Sequence, residues 1–421
     1  MKNVILQSRD NTNSRLFGLI IIFMAVSLHQ SGIMFGVNLS VADLFCFLGI
    51  LVLISSKRLM LSKLPFLYFI ALTIHTLFVS FIYVPATFTL FPRSSSVMIN
   101  YIKLLVCFFY FILGNSIALL KQDEVVIKYY SYVALFIGFL GVIATLLSLQ
   151  PLSSILVYEG VRLTGLMNDP NYFSLIQASA LAYFCKVKGI NGFFRIGICI
   201  ILILSILASG SKTGLITIMV YMLIRLVETL LKNRIRASSF IRTLLLFIII
   251  IVVAVNLSAL LGEILYALSN KLPAFNRIVM IFTDFNSAVS GMGSGRDVTW
   301  KVALQLIKLS PIMGIGLGTY SALAEAFFGT DVIAHNTYLQ LYSEWGIIFA
   351  TLLFIYIFHT IGKTILLRRS EGSISILADM LIVFLIGSLA ISLNNARMFW
   401  IFLGMLSATQ IHTQDEENIN D

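Results

Sequence analysis

The sequence predicts an all-α, polytopic membrane protein with about twelve transmembrane helices and one large outer loop. Three observations carry that prediction. The 421 residues are 59% hydrophobic and only 11% charged, where a soluble domain carries about a quarter charged residues. The apolar residues gather in blocks of roughly 18 to 22, the length that crosses a bilayer core. The basic residues collect on alternate connections, as the positive-inside rule requires of cytoplasmic loops.

The spans read as 16–36, 39–55, 64–84, 99–120, 129–149, 171–185, 195–209, 213–231, 243–261, 336–361, 375–393 and 397–411. The first lacks a small-residue cleavage site and reads as a retained helix rather than a signal peptide. The run ILILSILASGSKTGLITIMVYML is read as two spans, with one long span as the alternative. With a cytoplasmic N-terminus, the inner loops hold nineteen of the 29 basic residues, from Lys2, Arg9 and Arg15 to Lys363, Arg368 and Arg369. The net charge of +10 is therefore mostly topology, and no nucleic-acid partner is expected. The four cysteines, Cys46, Cys107, Cys185 and Cys199, lie in or beside apolar spans without metal or disulfide spacing and read as small buried hydrophobes.

The chain thus divides into spans one to nine (1–261), an outer loop (262–335), spans ten to twelve (336–411) and a cytoplasmic tail (412–421). In the loop, Val298, Val302 and Leu306 recur near helical spacing, with Lys301 and Lys308 beside them, so 297–309 reads as an amphipathic helix at the outer interface. Pro311 ends it, and Gly314, Gly316 and Gly318 give a tight, irregular turn. A shorter outer loop, 150–170, runs into span six through Asp169, Pro170 and Asn171, a normal helix start. No internal repeat is visible.

The basic residues on the outer side are the informative minority: Arg93, Lys103, Arg162, Lys212, Lys271, Arg277, Arg296, Lys301, Lys308 and Arg397. Arginine there works against the topology rule, and charge within a span is costly. An anionic ligand at the outer leaflet supplies a reason, because guanidinium groups grip phosphates through paired hydrogen bonds. Arg162, Arg296 and Arg397, at span mouths, are the strongest candidates. Arg93, Lys271 and Lys308 read as solvated loop charges. Lys212 lies in SGSKTG, which lacks the upstream glycine and strand of a nucleotide-binding loop.

Of the five histidines, His29, His75 and His359 read as packing residues and His412 lies in the tail. His335 has different company. Asn336, Gln340 and Glu344 follow it at four-residue steps, so they share one face of the entering helix. A polar stripe at that depth must face the bundle interior or a watery cavity. His335 could accept a proton from a hydroxyl near neutral pH. Asn336 would cap the helix or touch substrate, and Glu344 would partner a loop arginine. Asp43 and Asp379 read as solitary carboxylates. No divalent metal and no cofactor are expected.

These residues resemble a known family. SGRDVTWKVALQLIKLSPIMGIGLGTY followed by HNTYLQLYSEWGI looks like the signature of the O-antigen ligase and O-antigen polymerase superfamily. Its pattern is an arginine, a tryptophan, a helix, Pro-x-x-Gly-x-Gly, His-Asn-x-x-Leu and Glu-x-Gly. RLTGLMNDPN resembles its earlier arginine motif. The resemblance implies a metal-independent glycosyltransferase of GT-C-like helical fold in the bacterial inner membrane, acting on undecaprenyl-diphosphate-linked glycans at the outer face. It implies that Arg162 and Arg296 bind the diphosphate, with Lys212 and Arg397 in support, and that His335 stands at the reaction centre. Asn171, Asn336, Gln340 and Glu344 would position substrate. One departure concerns Lys212, where the family often has arginine; lysine keeps the charge but loses the two-pronged geometry.

The expected reaction is polymerisation of lipid-linked repeat units into O-antigen or capsule, with a chain-length regulator as a further partner. The alternatives are ligation of the finished glycan to lipid A-core or a protein hydroxyl, and transport of a lipid-linked glycan. Transporters place their polar groups near the midplane, whereas here they gather at the outer mouths.

Overall fold

The computed structural model describes residues 2–31, 34–35, 39–147, 149–232, 295–366 and 372–420. The expected ninth span and the loop as far as residue 294, with Lys271 and Arg277, lie outside these. In chain order the helices are α1 (Lys2–Ser27), α2 (Val41–Ser55), α3 (Lys63–Phe78), α4 (Val84–Phe88), α5 (Ser94–Leu119), α6 (Asp123–Leu147), α7 (Gln150–Leu156), α8 (Pro170–Lys186), α9 (Gly192–Ala208), α10 (Lys212–Lys232), α11 (Arg296–Leu309), α12 (Tyr320–Phe328), α13 (Thr337–Leu366), α14 (Ser373–Gly387) and α15 (Arg397–Asn420). Two antiparallel two-residue pairs interrupt them: β1 (Met34–Phe35) with β2 (Leu39–Ser40), and β3 (Val157–Tyr158) with β4 (Arg162–Leu163).

Among the described residues, four helical stretches are long and apolar enough to cross a bilayer: Lys63–Phe88, Ser94–Leu119, Asp123–Leu147 and Thr337–Ile365. Shorter apolar helices cover Arg15–Ser27, Val41–Ser55, Gly192–Ala208, Ser373–Gly387 and Arg397–Ala408. The SGSKTG run separates two helices, α9 and α10. Two expected spans end early. The first stops at Ser27, before the β1–β2 pair. The eleventh stops at Gly387, because the chain from Ser388 to Leu393 bonds elsewhere, as described below.

The chain forms two compact units, one of residues 1–133, 186–188 and 296–421, the other of 134–185 and 189–295. In the first, α5 and α15 pack closely through reciprocal glycines. A Cβ on Gly114 would meet the Ile401 carbonyl, and one on Gly404 would meet the Phe111 carbonyl. Small residues let helix backbones approach where lipid gives no hydrophobic drive to association.

The loop after α11 is fixed by a second glycine arrangement. Helix α13 is two helices in one: Gly346 has φ 72° and ψ 170°, a break within it. The break strands carbonyls that a membrane cannot solvate. Neighbouring backbone takes them. Ile315 N donates to Ser343 O at 2.8 Å, Gly316 N to Glu344 O at 2.9 Å, and Ile347 N to Pro311 O at 2.8 Å. Gly314 has φ 70°, and a Cβ there would collide with Glu344 and Gly346; a Cβ on Gly346 would strike Ile312 O. Gly316 and Gly318 lie as tightly against Ser80 and Ser96, whose hydroxyls donate to Leu317 O and Gly318 O. The Ser80 contact falls where α3 widens into a π-helical turn, Val79–Tyr83.

The expected amphipathic helix is α11, but its buried face is Thr299, Val302, Ala303 and Leu306, and Val298 is exposed. That face joins Ile315, Tyr320, Leu323, Ala324 and Ala334 in one apolar cluster.

Gly346→Ala is expected to cost on the order of 3 kcal/mol or more, from left-handed backbone strain and the displaced Ile312 carbonyl. Gly362→Ala, in open helix, should instead gain about 0.5–1 kcal/mol. Thermal unfolding in detergent compares them; a Gly346→Ala protein as stable as Gly362→Ala would contradict the interlock.

Candidate functional site

In the first unit the site is built on the short half-helix of α13, above the Gly346 break. Asn336 caps it. Its Oδ1 accepts from Leu339 N at 3.0 Å, and its Nδ2 donates to Leu389 O at 2.9 Å. Thr337 N donates to Ser388 O at 2.8 Å and its hydroxyl to Ile391 O at 2.7 Å, while Leu393 N donates to the same hydroxyl at 2.8 Å. The chain after α14 therefore leaves the helical path to clasp the mouth of α13. Of the two roles expected for Asn336, the structure places it as the cap.

His335 lies between two anchors, Ala334 buried in the apolar cluster and Asn336 buried in the clasp. Its backbone is left-handed, φ 47°, an uncommon conformation for a residue other than glycine, and it is exposed. Arg296 opens α11, after Gly295 at φ 60°, and α11 packs into the same cluster as Ala334.

Below the cap, Gln340 Nε2 donates to Glu344 Oε1 at 3.0 Å, and Glu344 is 5% exposed. Its expected partner was a loop arginine. Among the described residues the charge that reaches it is Lys103 on α5, which also feels Arg397; the loop arginine Arg277 lies outside them. Tyr320 lies near enough to feel the Glu344 charge; burial, with that charge added, pushes its hydroxyl up and keeps it a neutral donor. Three buried polar atoms here have no hydrogen-bond partner among the described residues: Gln340 Oε1, Tyr320 Oη and Trp345 Nε1.

Neither carboxylate read as solitary is alone. Arg397 grips Asp43 with two donors, Nε to Oδ1 at 3.0 Å and Nη2 to Oδ2 at 2.8 Å. Asp43 also accepts from Tyr110 Oη at 3.0 Å and from Ser40 N at 2.7 Å, closing a capping box at the start of α2. Asp379 pairs with Lys186 at 2.8 Å.

In the second unit, the β3–β4 pair turns through Glu159 and Gly160, both at positive φ, and delivers Arg162. Arg162 Nε donates to Ser209 O at 2.9 Å and its Nη2 reaches Asn171 Oδ1 at 3.4 Å. Asn171 Oδ1 also accepts from Ser211 Oγ at 2.9 Å. Ser211 Oγ accepts from Gly214 N at 3.0 Å and from Ser174 Oγ at 2.9 Å, so it caps α10. Lys212 is the first residue of that helix. Arg162, Asn171 and the N-terminus bearing Lys212 are thus brought together. A helix N-terminus with two cations beside it favours negative charge by dipole and by charge.

The Ser174–Ser211 link, Lys103 and Tyr320 were absent from the expected site. Lys103 carried a signal, a charge inside an apolar span. The serines and Tyr320 carried none.

Residues 197–355 match the family model described as O-antigen ligase. Over that segment the chain is similar to the O-antigen ligase family. The matched segment includes Lys212, Arg296, His335, Gln340 and Glu344, with the Pro311–Gly318 turn and Gly346. Arg162, Asn171 and Arg397 lie outside it. No curated protein matches the chain. The match and the apolar helices together point to a membrane protein that is similar, over those residues, to the O-antigen ligases.

Asp43→Asn is expected to destabilise by about 3–5 kcal/mol, because it strands the Arg397 charge in a largely buried setting. The double variant Asp43→Leu, Arg397→Met should recover most of that loss. Unfolding midpoints in detergent read both, and a double variant no better than Asp43→Asn would contradict the pairing.

Proposed function

We propose that the protein transfers a glycan from an undecaprenyl diphosphate carrier to an acceptor hydroxyl at the outer face of the bacterial inner membrane. The acceptor is the next lipid-linked repeat unit, so that a surface polysaccharide grows. The observation that carries this reading is His335, exposed on a strained backbone between two buried anchors, within the O-antigen ligase match.

The chemistry is a single displacement with inversion and needs no metal in this reading. The acceptor oxygen attacks the anomeric carbon as its proton passes to the imidazole of His335. The bond from that carbon to the phosphate oxygen breaks, and the electron pair leaves with undecaprenyl diphosphate. In the first unit Arg296 neutralises the departing charge; Arg162 and Lys212, at the head of α10 in the second unit, are the further diphosphate ligands that the resemblance implies. Arg397 is the weaker ligand, because two of its donors already serve Asp43. Asn171 orients Arg162. Asn336 holds the backbone of His335 in place. Gln340 and Glu344 position hydroxyls of the bound glycan, a role that the unpartnered Gln340 Oε1 and Tyr320 Oη support.

A second reading, transfer to lipid A-core, draws on the description of the matching family.

Purified protein supplied with synthetic undecaprenyl-diphosphate repeat units should build glycan ladders equally well with and without EDTA. Transfer confined to lipid A-core would favour the second reading. His335→Ala should lower the rate at least about a hundredfold, the usual scale of a general base, and Arg162→Lys should lower it less than Arg162→Ala. Full transfer by His335→Ala would remove His335 from the reaction.

A further inference from the structure

In the first unit, α2 and α5 end in the same way, around one cavity. Each last turn closes through a lysine in the left-handed region, Lys57 and Lys121, both at φ 56°. The next residue donates its backbone N–H five positions back: Arg58 N to Leu53 O at 2.8 Å, and Gln122 N to Ile117 O at 3.0 Å. This is the six-to-one bond of a Schellman motif. The two motifs bring Arg58 and Gln122 to the wall of a cavity of about 140 Å³, which Phe17 of α1, Leu53 and Ser56 also line.

The cavity has two kinds of wall. Phe17 and Leu53 form a buried apolar floor. Ser56, Arg58 and Gln122 form a half-buried polar rim. The Ser56 hydroxyl is engaged by Val52 O at 2.8 Å. Gln122 Oε1 is a buried acceptor with no hydrogen-bond partner among the described residues, and such an atom needs a donor. Arg58 brings a cation whose five N–H groups serve several acceptors. An occupant that fits must accept from a guanidinium, donate to an amide oxygen and turn carbon to the floor. Water meets the first two demands and not the third. Lys57, Arg58, Lys63 and Lys121 belong to the connections at this end, which the positive-inside rule expects at the cytoplasmic headgroup level. We propose that the cavity binds the head of a phospholipid that bears an ammonium N–H, of the phosphatidylethanolamine type. Its phosphate lies on Arg58, its ammonium donates to Gln122 Oε1, and its glycerol carbons cover Phe17 and Leu53. The inference is independent of the reaction proposed above.

The test uses the full chain, delipidated in detergent, with bound lipid counted by native mass spectrometry. Phosphatidylethanolamine and phosphatidylcholine carry the same net charge, but only the first has N–H donors. The protein should hold phosphatidylethanolamine about tenfold more tightly than phosphatidylcholine. Gln122→Leu should erase that preference and leave phosphatidylcholine binding unchanged. Arg58→Gln should weaken both lipids by about tenfold or more. Lys308→Gln, an exposed cation on α11, should change neither. Equal retention of the two lipids, or a Gln122→Leu protein that keeps the preference, overturns the proposal. Inorganic phosphate in large excess separates a lipid head from a free anion. It should leave phosphatidylethanolamine bound, and displacement would overturn the lipid assignment. Unfolding without lipid supplies a second measurement. Gln122 Oε1 has no partner to lose, so Gln122→Leu should unfold at an unchanged or higher temperature. A lower one would make Gln122 a structural residue and overturn the site.

Discussion

A helix that breaks inside a bilayer must find partners for the backbone groups it releases, and the rest of the first unit depends on how this chain finds them. Gly346 ends one half of α13, and the turn from Pro311 to Gly318 enters the break to donate to Ser343 and Glu344 and accept from Ile347. Only backbone without side chains can come this close, so glycine stands on both sides of the contact. The interlock sets the height of the short half-helix, and with it Gln340, Glu344 and His335. It also fastens the loop that bears α11 and α12 to the helices beneath. The Pro-x-x-Gly-x-Gly and Glu-x-Gly parts of the sequence pattern are thus the two halves of one backbone junction.

Charge inside the apolar helices follows the same logic of obligatory partners. Asp43 has Arg397 and Tyr110, Asp379 has Lys186, and Glu344 has Gln340 with Lys103 nearby. Each of these joins helices far apart in sequence except the Gln340–Glu344 step. Desolvation offsets much of what such pairs gain, so their main effect is to make wrong pairings costly. Helix association in lipid has little hydrophobic drive, and specificity of this kind has more to do there.

Much of this was legible in the sequence because it rests on local signals. Apolar block length marked most helices, and Pro311 with its glycines marked the irregular turn. Four-residue spacing marked the stripe beneath His335. The arginine at 162 and the serine-lysine step at 211–212 were visible one by one. Their meeting through Asn171 was not, since it depends on how α8, α9 and the β3–β4 pair pack. The early end of α14 was also hidden: Ser388 to Leu393 read as apolar helix until Thr337 and Asn336 took their carbonyls. Lys103, whose charge reaches Glu344, was overlooked for a similar reason. A lysine one helix away in space looks remote when it stands 241 positions earlier in the chain.

The grip of Arg397 on Asp43 has a bearing on the order of assembly. Asp43 stands on α2, and Arg397 opens α15, 354 positions later. Throughout most of translation the carboxylate stands without its guanidinium, and α5 without the glycine-matched surface of α15. Until α15 is in place, the early helices lack the cation that neutralises Asp43. A chain stopped short of Arg397 would present a buried unpaired charge to the machinery that removes faulty membrane proteins.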